Sequence, residues 1–323
     1  MFKSTFNKMG FATGYRFYMY SNSQGEVYAR GYNQYGQLGT GNTENAFTDP
    51  VKVLIDDVIM FDCGYFFSCF LTANGDVYTT GVIGPSYPYP SCTMTPVKIA
   101  SDIVAIACSD FGINMLTNAG TVKVVGRAPH GESYNWGSSS ISNIRNSKRL
   151  SGIMGIAIGT NQGFYLTSER SMYYVSNGVG SGDKSTGTAI QHPLTDIKAV
   201  SSSFRNSLFL KTDGEVYSSG DNQFGQLGIG LISTNSNTAC FCNISDVAQV
   251  SSGVFHSLFL KTDGTVWACG HNKYGELGIN STENQVSPVK CNIDEEVIGI
   301  YAGWYMSAFL TESGMYFAGL RSF

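Results

Sequence analysis

The chain has 323 residues, of which 42% are hydrophobic, 13% are aromatic and only 14% are charged. Globular proteins carry about 25% charged residues, but the high aromatic content excludes an intrinsically disordered chain. The formal net charge of −4 argues against a protein that binds nucleic acid or an anionic membrane by bulk electrostatics, and the sequence has no run of 18 apolar residues that could span a bilayer.

The amino-terminal sequence and the cysteines indicate a reducing environment. The first residues, MFKSTFNKMGFATG, lack the uninterrupted apolar stretch of a secretion signal. Eight cysteines without a CxxC pair are too sparse for a disulfide scaffold, and Cys240-x-Cys242 has no further ligand at metal-binding spacing. We expect buried, reduced thiols, no metal site, and a cytoplasmic or particle-associated protein without a transmembrane segment.

A short segment of the form apolar-x-x-apolar-x-x-Gly/Ser recurs seven times along the chain. These landmarks end at Gly14, Gly64, Ser109, Gly159, Ser203, Gly253 and Gly303. Their successive spacings are 50, 45, 50, 44, 50 and 50 residues, and the first copy has Lys8 at its leading apolar position. This steady interval predicts seven copies of one structural unit.

Each copy continues with strand and hairpin signals. A leucine follows the landmark by seven residues in six of the copies, and a turn glycine comes four residues later. Asp213-Gly214 and Asp263-Gly264 are typical of tight hairpins, because the turn needs the positive φ that glycine adopts without a Cβ clash. The fourth copy has Arg170 where the turn glycine belongs, so we expect an altered turn there.

The fourth strand of a unit is marked by Pro-Val-Lys at 50–52, 96–98 and 288–290, since proline is tolerated on outer strands. Seven successive four-stranded antiparallel sheets predict an all-β, seven-bladed β-propeller that occupies residues 1–323 as one domain. The last copy stops after its third strand, whereas residues 2–6 align with a fourth strand. We therefore expect this amino-terminal strand to complete the last blade and to close the propeller.

Three copies carry a longer signature between their third and fourth strands: GYNQYGQLGTG (31–41), GDNQFGQLGIG (220–230) and GHNKYGELGIN (270–280). Together with SSGVFHSLFLKTDGTVWACG (251–270), this signature resembles the repeat of the regulator of chromosome condensation family, and the resemblance covers essentially the whole chain. It implies a seven-bladed β-propeller. The glycines of the signature are expected at positive φ and Leu38, Leu227 and Leu277 against the blade, so the motif is interpreted as scaffold rather than as a site.

Copies two to four lack this signature. In its place stand VIGPSYPYPSC (82–92), RAPHGESYNWGSSS (127–140) and NGVGSGDKST (177–186). Two interpretations stay open. These consecutive loops carry a function on a structurally constant scaffold, or their sequences have changed without functional constraint.

The loops that follow the landmarks are rich in aromatic residues, which six of the seven loops contain. Strand alternation places these loops and the signature loops on one side of each sheet, and the hairpins on the other side. Because exposed aromatic patches commonly bind proteins, we expect a partner-binding surface, with about half of the rings sealing neighbouring blades instead. The candidate residues are Tyr15, Phe17, Tyr65, Phe66, Phe67, Phe111, Phe204, Phe255, Trp304 and Tyr305.

The sequence offers no catalytic constellation. The four histidines are scattered, and no local motif pairs a nucleophile with a base. GTGNT (39–43) lacks the Lys-Ser/Thr ending of a phosphate-binding P-loop. His256 occupies the position of the repeat's histidine and is expected to be structural. We therefore predict no catalytic residues, no cofactor and no enzymatic activity.

Three functions are compatible with these observations. The first is a non-catalytic interaction module that binds a protein partner, such as a small GTPase or another protein of a larger assembly, without direct nucleic-acid contact or membrane insertion. The resemblance also implies guanine nucleotide exchange on a Ran-like GTPase, although Asp110 is the only acidic residue in the landmark loops. The low charge suggests a virion or cell-surface component that binds a receptor or glycan. Ultraviolet sensing, which relatives perform with clustered tryptophans, is disfavoured by the wide spacing of Trp136, Trp267 and Trp304.

Overall fold

The computed structural model describes residues 10–83, 92–126, 145–146, 152–159, 162–176, 190–204 and 206–320. Over these ranges the chain forms strands and turns, and it has no helix that is long and apolar enough to cross a membrane. The chain divides into two compact units. The first comprises Met1–Ile158, Tyr165–Ser168 and Ser322–Phe323, and the second comprises Gly159–Phe164 and Glu169–Arg321.

The first unit contains three four-stranded sheets, in which the strands follow one another in chain order. The strands of the first sheet are β1 (Phe11–Gly14), β2 (Phe17–Ser21), β3 (Val27–Gly31) and β4 (Ala46–Lys52). The strands of the second are β5 (Val58–Cys63), β6 (Phe67–Thr72), β7 (Val77–Gly81) and β8 (Thr93–Ala100). The strands of the third are β9 (Ile103–Ser109), β10 (Gly112–Thr117), β11 (Val122–Gly126) and β12 (Arg145–Asn146).

The strands of the fourth sheet are β13 (Ile153–Ile158), β14 (Gln162–Thr167), β15 (Met172–Ser176) and β16 (Ile190–Gln191). The fifth sheet contains β17 (Ile197–Ser202), β18 (Asn206–Lys211), β19 (Val216–Asn222) and β20 (Ser233–Phe241). The sixth contains β21 (Val247–Ser252), β22 (His256–Lys261), β23 (Val266–Gly270) and β24 (Gln285–Lys290). The seventh contains β25 (Val297–Ala302), β26 (Met306–Thr311) and β27 (Met315–Gly319).

This succession of antiparallel sheets confirms the predicted seven-bladed β-propeller. Six sheets have four strands, and the seventh has three within the described ranges. Residues 2–6, which we expect to supply its fourth strand, lie outside the described residues.

Within each unit the core lies between neighbouring sheets. In the first unit, Phe17 and Met19 of β2 pack with Cys63 and Phe70 of the second sheet. In the second unit, Leu258 of β22 belongs to the same buried cluster as Ile300 and Phe309 of the seventh sheet. Because the second strands are covered on both faces, they are buried along their length, as in β6, β10 and β26.

The turn of the fourth copy differs from our expectation. Arg170 has a φ of 59°, which is the left-handed conformation that Gly75, Gly120 and Gly214 adopt at the same place in other copies. The prediction of an altered turn is therefore wrong, because Arg170 adopts the same backbone conformation as the glycines of the other copies. An exposed arginine accepts a conformation that costs a non-glycine residue about 1–2 kcal/mol, because the two flanking strands fix the hairpin.

All eight cysteines are free thiols, but the predicted burial holds for only six of them. Six are buried, whereas Cys92 is exposed and Cys240 is half-buried. Burial raises the pKa of the Cys242 and Cys291 thiols to about 12, so these side chains act as small apolar groups in the core.

Candidate functional site

Neighbouring landmark loops are tied together by backbone hydrogen bonds. In the first unit, the Tyr15 N–H donates to the Tyr65 carbonyl at 3.2 Å, and the Tyr65 N–H donates to the Asp110 carbonyl at 2.8 Å. In the second unit, the Val254 N–H donates to the Gly303 carbonyl at 3.1 Å. These bonds fix the aromatic loops before any partner is present.

The glycine that ends the third strand also positions the aromatic residues. Gly270 has a φ of 109°, and this conformation allows the N–H of His271 to donate to the Phe255 carbonyl at 2.9 Å. A Cβ at Gly270 would lie only 2.5 Å from that carbonyl oxygen. Glycine is therefore required here because the third strand and the landmark loop approach each other closely.

The signature loops have the predicted structure. Their central glycines adopt positive φ, and Leu38, Leu227 and Leu277 are fully buried. A buried asparagine holds each loop, as where the Asn222 Oδ1 accepts the Leu227 N–H at 3.0 Å and the Asn222 Nδ2 donates to the Leu231 carbonyl at 2.8 Å. A network of this kind specifies one loop conformation.

A serine of the following sheet anchors each signature loop. The Ser257 hydroxyl donates to the Gln226 carbonyl at 2.7 Å, and the Ser307 hydroxyl donates to the Glu276 carbonyl at 2.6 Å. The Ser68 hydroxyl makes the same contact in the first unit, with the carbonyl of residue 37 at 2.8 Å. Each signature loop is therefore joined to the next sheet in the chain.

The first unit carries a group of packed rings that we call the first aromatic cluster. Tyr15 stacks on Tyr65 with a centroid distance of 4.4 Å, and Phe66 meets Tyr65 edge-on at 4.6 Å. Phe66 also contacts Tyr35 at 4.6 Å. The members are Tyr15, Tyr32, Tyr35, Tyr65, Phe66 and Phe111, all of them half-buried.

The second unit carries the second aromatic cluster. Phe255 stacks on Tyr305 at 5.3 Å and meets Trp304 edge-on at 6.3 Å. Phe204 approaches Trp304 at 6.0 Å. The members are Phe204, Phe224, Phe255, His271, Tyr274, Trp304 and Tyr305, and Tyr274 is the most exposed, at 44%.

Five members of the two clusters come from the signature loops, which sequence reasoning interpreted as scaffold alone. They are Tyr32, Tyr35, Phe224, His271 and Tyr274. The aromatic residue before the central glycine of each signature packs on a ring 31 residues further along the chain, in the pairs Tyr35–Phe66, Phe224–Phe255 and Tyr274–Tyr305. This repeated spacing was the available sequence signal, and the signature is both a scaffold and a part of the surface.

Two of the predicted surface residues are core residues instead. Phe17 and Phe67 are 0% exposed, because each begins a second strand with its side chain directed inward. Their rings cover the landmark glycines so closely that a Cβ at Gly14 or Gly64 would lie 2.0 Å from a ring carbon. The other eight predicted residues are half-buried and are distributed between the two clusters.

The histidines have structural contacts. His256 is fully buried, and its Nε2 lies 2.9 Å from the Ser307 hydroxyl. Burial lowers the pKa of His256 to about 3, which keeps the ring neutral. His271 is hydrogen-bonded through Nδ1 to the buried Glu276 carboxylate, and four rings surround it, those of Phe224, Phe255, Tyr274 and Tyr305.

Most of the loops that replace the signature in copies two to four lie outside the described residues, namely 84–91, 127–140 and 177–186. Trp136 and His130 are among them. The two interpretations of these loops therefore stay open.

Family models match two parts of the chain. Two models, each described as a regulator of chromosome condensation (RCC1) repeat, match it: one at residues 24–71, 213–260 and 263–310, the other at 61–82, 197–226 and 247–276. Together these matches cover more than half of the sequence.

Individual proteins are similar over most of the chain. The ultraviolet-B receptor UVR8 of Arabidopsis thaliana is 27% identical in an alignment 240 residues long that covers 65% of this chain and 52% of the receptor. The chain thus spans about half the length of this relative. The structure of Prp20p from Saccharomyces cerevisiae, described with its binding properties to Gsp1p and histones, has a TM-score of 0.78 at 20% identity and covers 96% of this chain and 81% of that one. Human WBSCR16 gives 0.80 at 18% identity, with 94% and 87% covered.

Proposed function

As the chain belongs to the regulator of chromosome condensation (RCC1) repeat family, we propose that it is a non-catalytic interaction module that binds a protein partner through its two aromatic clusters. The observation that carries this proposal is the grouping of half-buried rings on loops that backbone bonds hold in place. Tyr and Trp side chains are enriched at the energetic centres of protein interfaces, and exposed apolar patches usually mark such interfaces.

Preorganisation supports the same function. The hydrogen bond from the Tyr15 N–H to the Tyr65 carbonyl and that from the His271 N–H to the Phe255 carbonyl fix the backbone beneath the rings. Each ring is further restrained by its aromatic neighbours, as in the Tyr15–Tyr65 stack. A partner that docks on such loops therefore avoids much of the entropic cost of ordering them.

The environment of the titratable side chains supports a non-catalytic role. His256 is buried and neutral, with Ser307 as its hydrogen-bond partner. Among the described residues, the His271–Glu276 pair is the arrangement that most resembles a general base, but aromatic rings enclose His271. We infer that this pair supports the second aromatic cluster from beneath.

Nucleotide exchange is the second candidate function, and similarity to Prp20p, a protein with described binding to Gsp1p, is the observation that favours it. Its support is weaker because Asp110 is the only acidic residue of the landmark loops, and its backbone carbonyl accepts the Tyr65 N–H. Exchange would appear as accelerated release of a fluorescent guanine nucleotide from a Ran-like GTPase.

The experiment compares the immobilised wild-type chain with three cluster variants and one control variant in one cell extract. Trp304→Ala and Tyr274→Ala each truncate the second aromatic cluster, and Phe66→Ala truncates the first. Phe47→Ala is the matched control, because Phe47 is 41% exposed on β4 and belongs to neither cluster. Proteins retained by wild type and by Phe47→Ala, but lost from a cluster variant, are then purified, and their dissociation constants are measured by calorimetry.

We expect the dissociation constant of Trp304→Ala to be at least ten times higher than that of wild type, which corresponds to a loss of about 1.4 kcal/mol of binding free energy. Its melting temperature should stay within about 3 °C of wild type. The proposal fails if every retained protein binds wild type and the cluster variants equally. It also fails if the cluster variants lose binding only because their melting temperature has collapsed.

A further inference from the structure

The outer strand of the fifth sheet, β20, lacks the residues that protect other outer strands. In three sheets the outer strand carries Pro-Val-Lys, at 50–52, 96–98 and 288–290. β20 has Ala239-Cys240-Phe241 at these positions, since Phe241 pairs with the second residue of the third strand as each lysine does. Proline and lysine on an edge strand discourage pairing with another chain. β20 has neither, carries no charge, and is the longest of the described strands, with nine residues.

Phe241 is an exposed apolar residue at a position that is polar in the other sheets. Within the described ranges, five other sheets have a fourth strand, and the residue at this position is Lys52, Lys98, Asn146, Gln191 or Lys290. Phe241 is 43% exposed, although its ring meets that of Tyr217 edge-on at 5.7 Å. Covering this ring would remove apolar surface from water.

The backbone of β20 turns hydrogen-bonding groups away from its own sheet at Phe241 and Ala239. The Cys242 N–H donates to the Val216 carbonyl of β19 at 2.8 Å. Because residues of an antiparallel strand alternate between bonded and non-bonded pairs, the N–H and C=O groups of Phe241 and Ala239 point outward. In the first sheet the residue that aligns with Ala239 is Pro50, which has no N–H to donate. Within the described ranges β20 pairs with β19 alone, so its outward groups can pair with another strand.

We propose that this edge of β20 binds the same edge of a second copy of the chain, in an antiparallel pairing centred on Cys240. In that register Ala239 lies opposite Phe241 of the second copy, and their outward N–H and C=O groups exchange hydrogen bonds. The two-fold axis repeats this pair on its other side. The two Cys240 residues then lie opposite each other across the axis.

Shape and charge favour a second copy as the occupant. A two-fold interface must be complementary to itself, and in this register the bulky Phe241 faces the small Ala239 in each half. Because β20 carries no charge, the pairing brings no like charges together. The same pairing of the first sheet would hold two copies of Lys52 close together and would oppose each of them to Pro50, which offers no N–H.

The oligomeric state of the purified chain tests this proposal. Sedimentation velocity between about 1 and 100 μM protein compares wild type with Phe241→Lys and with Ala239→Pro/Phe241→Lys, which gives β20 the proline and the lysine of the protected strands. Phe47→Lys is the matched control, because Phe47 is 41% exposed on β4. We expect wild type and Phe47→Lys to dimerise, and the two β20 variants to have a dissociation constant at least ten times higher. All melting temperatures should stay within about 3 °C of wild type.

The register is tested by disulfide formation between copies in a Cys92→Ser background, where Cys240 is the one thiol that is not buried. Diamide, which accepts two electrons and two protons from a pair of thiols, should link Cys240 to its copy. The control moves this thiol by two residues, with Cys240→Ser and Thr238→Cys. Residue 238 is exposed, whereas Cys240 is half-buried, but in the proposed register residue 238 lies about 14 Å along the strand from its own copy. A non-reducing gel and mass spectrometry of linked peptides measure the yields.

We expect at least five times more linked dimer from Cys240 than from the thiol at 238. Equal yields for the two thiols would overturn the proposed register. A chain that stays monomeric over the whole concentration range, or a dimer that persists unchanged in Phe241→Lys, would show that the proposal is wrong. If the double variant fails to fold, Phe241→Lys and the linkage at Cys240 still decide the outcome, because neither introduces a proline.

Discussion

Asp62, on an inner strand, carries an ionisable carboxyl in an unfavourable environment. Its Oδ1 accepts the Cys63 N–H at 2.8 Å, and its Oδ2 accepts the Cys108 N–H of the next sheet at 2.7 Å. Loss of hydration nevertheless raises the pKa of Asp62 to about 6. Asp62 stands two residues before the end of its landmark, and other copies have a serine at this position. That serine makes the same bond to the next sheet, as where the Ser201 hydroxyl accepts the Ser252 N–H at 2.9 Å.

The raised pKa of Asp62 predicts a pH-dependent stability. Because the folded state holds the proton more tightly than the unfolded chain does, this group contributes most below about pH 4, and its contribution is lost as the pH rises through about 6. Asp62→Ser keeps an acceptor and removes the titration. We expect the free energy of unfolding of Asp62→Ser, relative to wild type, to fall by about 1–3 kcal/mol between pH 7 and pH 4, as measured by urea denaturation.

The control for this measurement is Asp56→Ser, which removes an exposed carboxylate of the same unit. It should leave the pH dependence of wild type essentially unchanged. A constant difference between Asp62→Ser and wild type across this range would show that Asp62 titrates as an ordinary solvated carboxyl.

The third strand and the landmark loop depend on each other through one glycine. Gly270→Ala would place a Cβ 2.5 Å from the Phe255 carbonyl oxygen and 2.7 Å from the His256 Cα, at a φ of 109°. The backbone must move, and the hydrogen bond from the His271 N–H to Phe255 is lost. We expect a destabilisation of more than 2 kcal/mol in urea unfolding, together with weaker partner binding, because Phe255 belongs to the second aromatic cluster.

Gly25→Ala is the matched comparison for an element without such a contact. Gly25 also has a positive φ, of 84°, but no heavy atom lies within 4 Å of its added Cβ. Its substitution should cost only the backbone strain, about 1 kcal/mol. If both variants lose the same stability, the close approach of Gly270 to the landmark loop is not what makes glycine necessary.

The same element explains what sequence reasoning could and could not find. The hairpin glycines and the apolar strands are local signals, and they predicted the sheets. Whether Phe17 faces the core or the loop surface depends on where β2 begins, since a shift of one residue reverses the face. The contact of Tyr274 with Tyr305 depends on how neighbouring sheets pack, and the conformation of Arg170 is imposed by the strands on either side of it.

On the scale of the whole molecule, the repeat spacing was sufficient to predict the fold, because repeated sheets bury their faces in the same way. The spacing carries less information about the surface. Aromatic residues serve both as core, as Phe67 does, and as cluster members, as Phe66 does. Two adjacent phenylalanines look alike in the sequence, although one side chain points into the core and the other to the loop surface. Only the geometry of the sheet shows which is which.

The distribution of thiols offers a probe of both units in one experiment. Cys63, Cys69 and Cys108 are buried in the first unit, and three further cysteines are buried in the second, namely Cys242, Cys269 and Cys291. Burial raises the pKa of Cys63, Cys108 and Cys269 well above the ordinary value. Alkylation needs the thiolate and access to it, so these side chains should react only when the surrounding sheets open.

We expect a maleimide at pH 7.5 to label Cys92 within seconds and Cys240 more slowly, while the six buried thiols stay unmodified until urea unfolds the sheets that contain them. Peptide mass spectrometry of samples quenched along a urea series would follow each site, and Cys92→Ser would confirm the assignment of the fast phase. Labelling of a buried thiol in the absence of urea, at a rate near that of Cys92, would mean that its sheet opens readily. Because opening free energies differ along a chain, the urea midpoint at each site measures how strongly its own sheet is held.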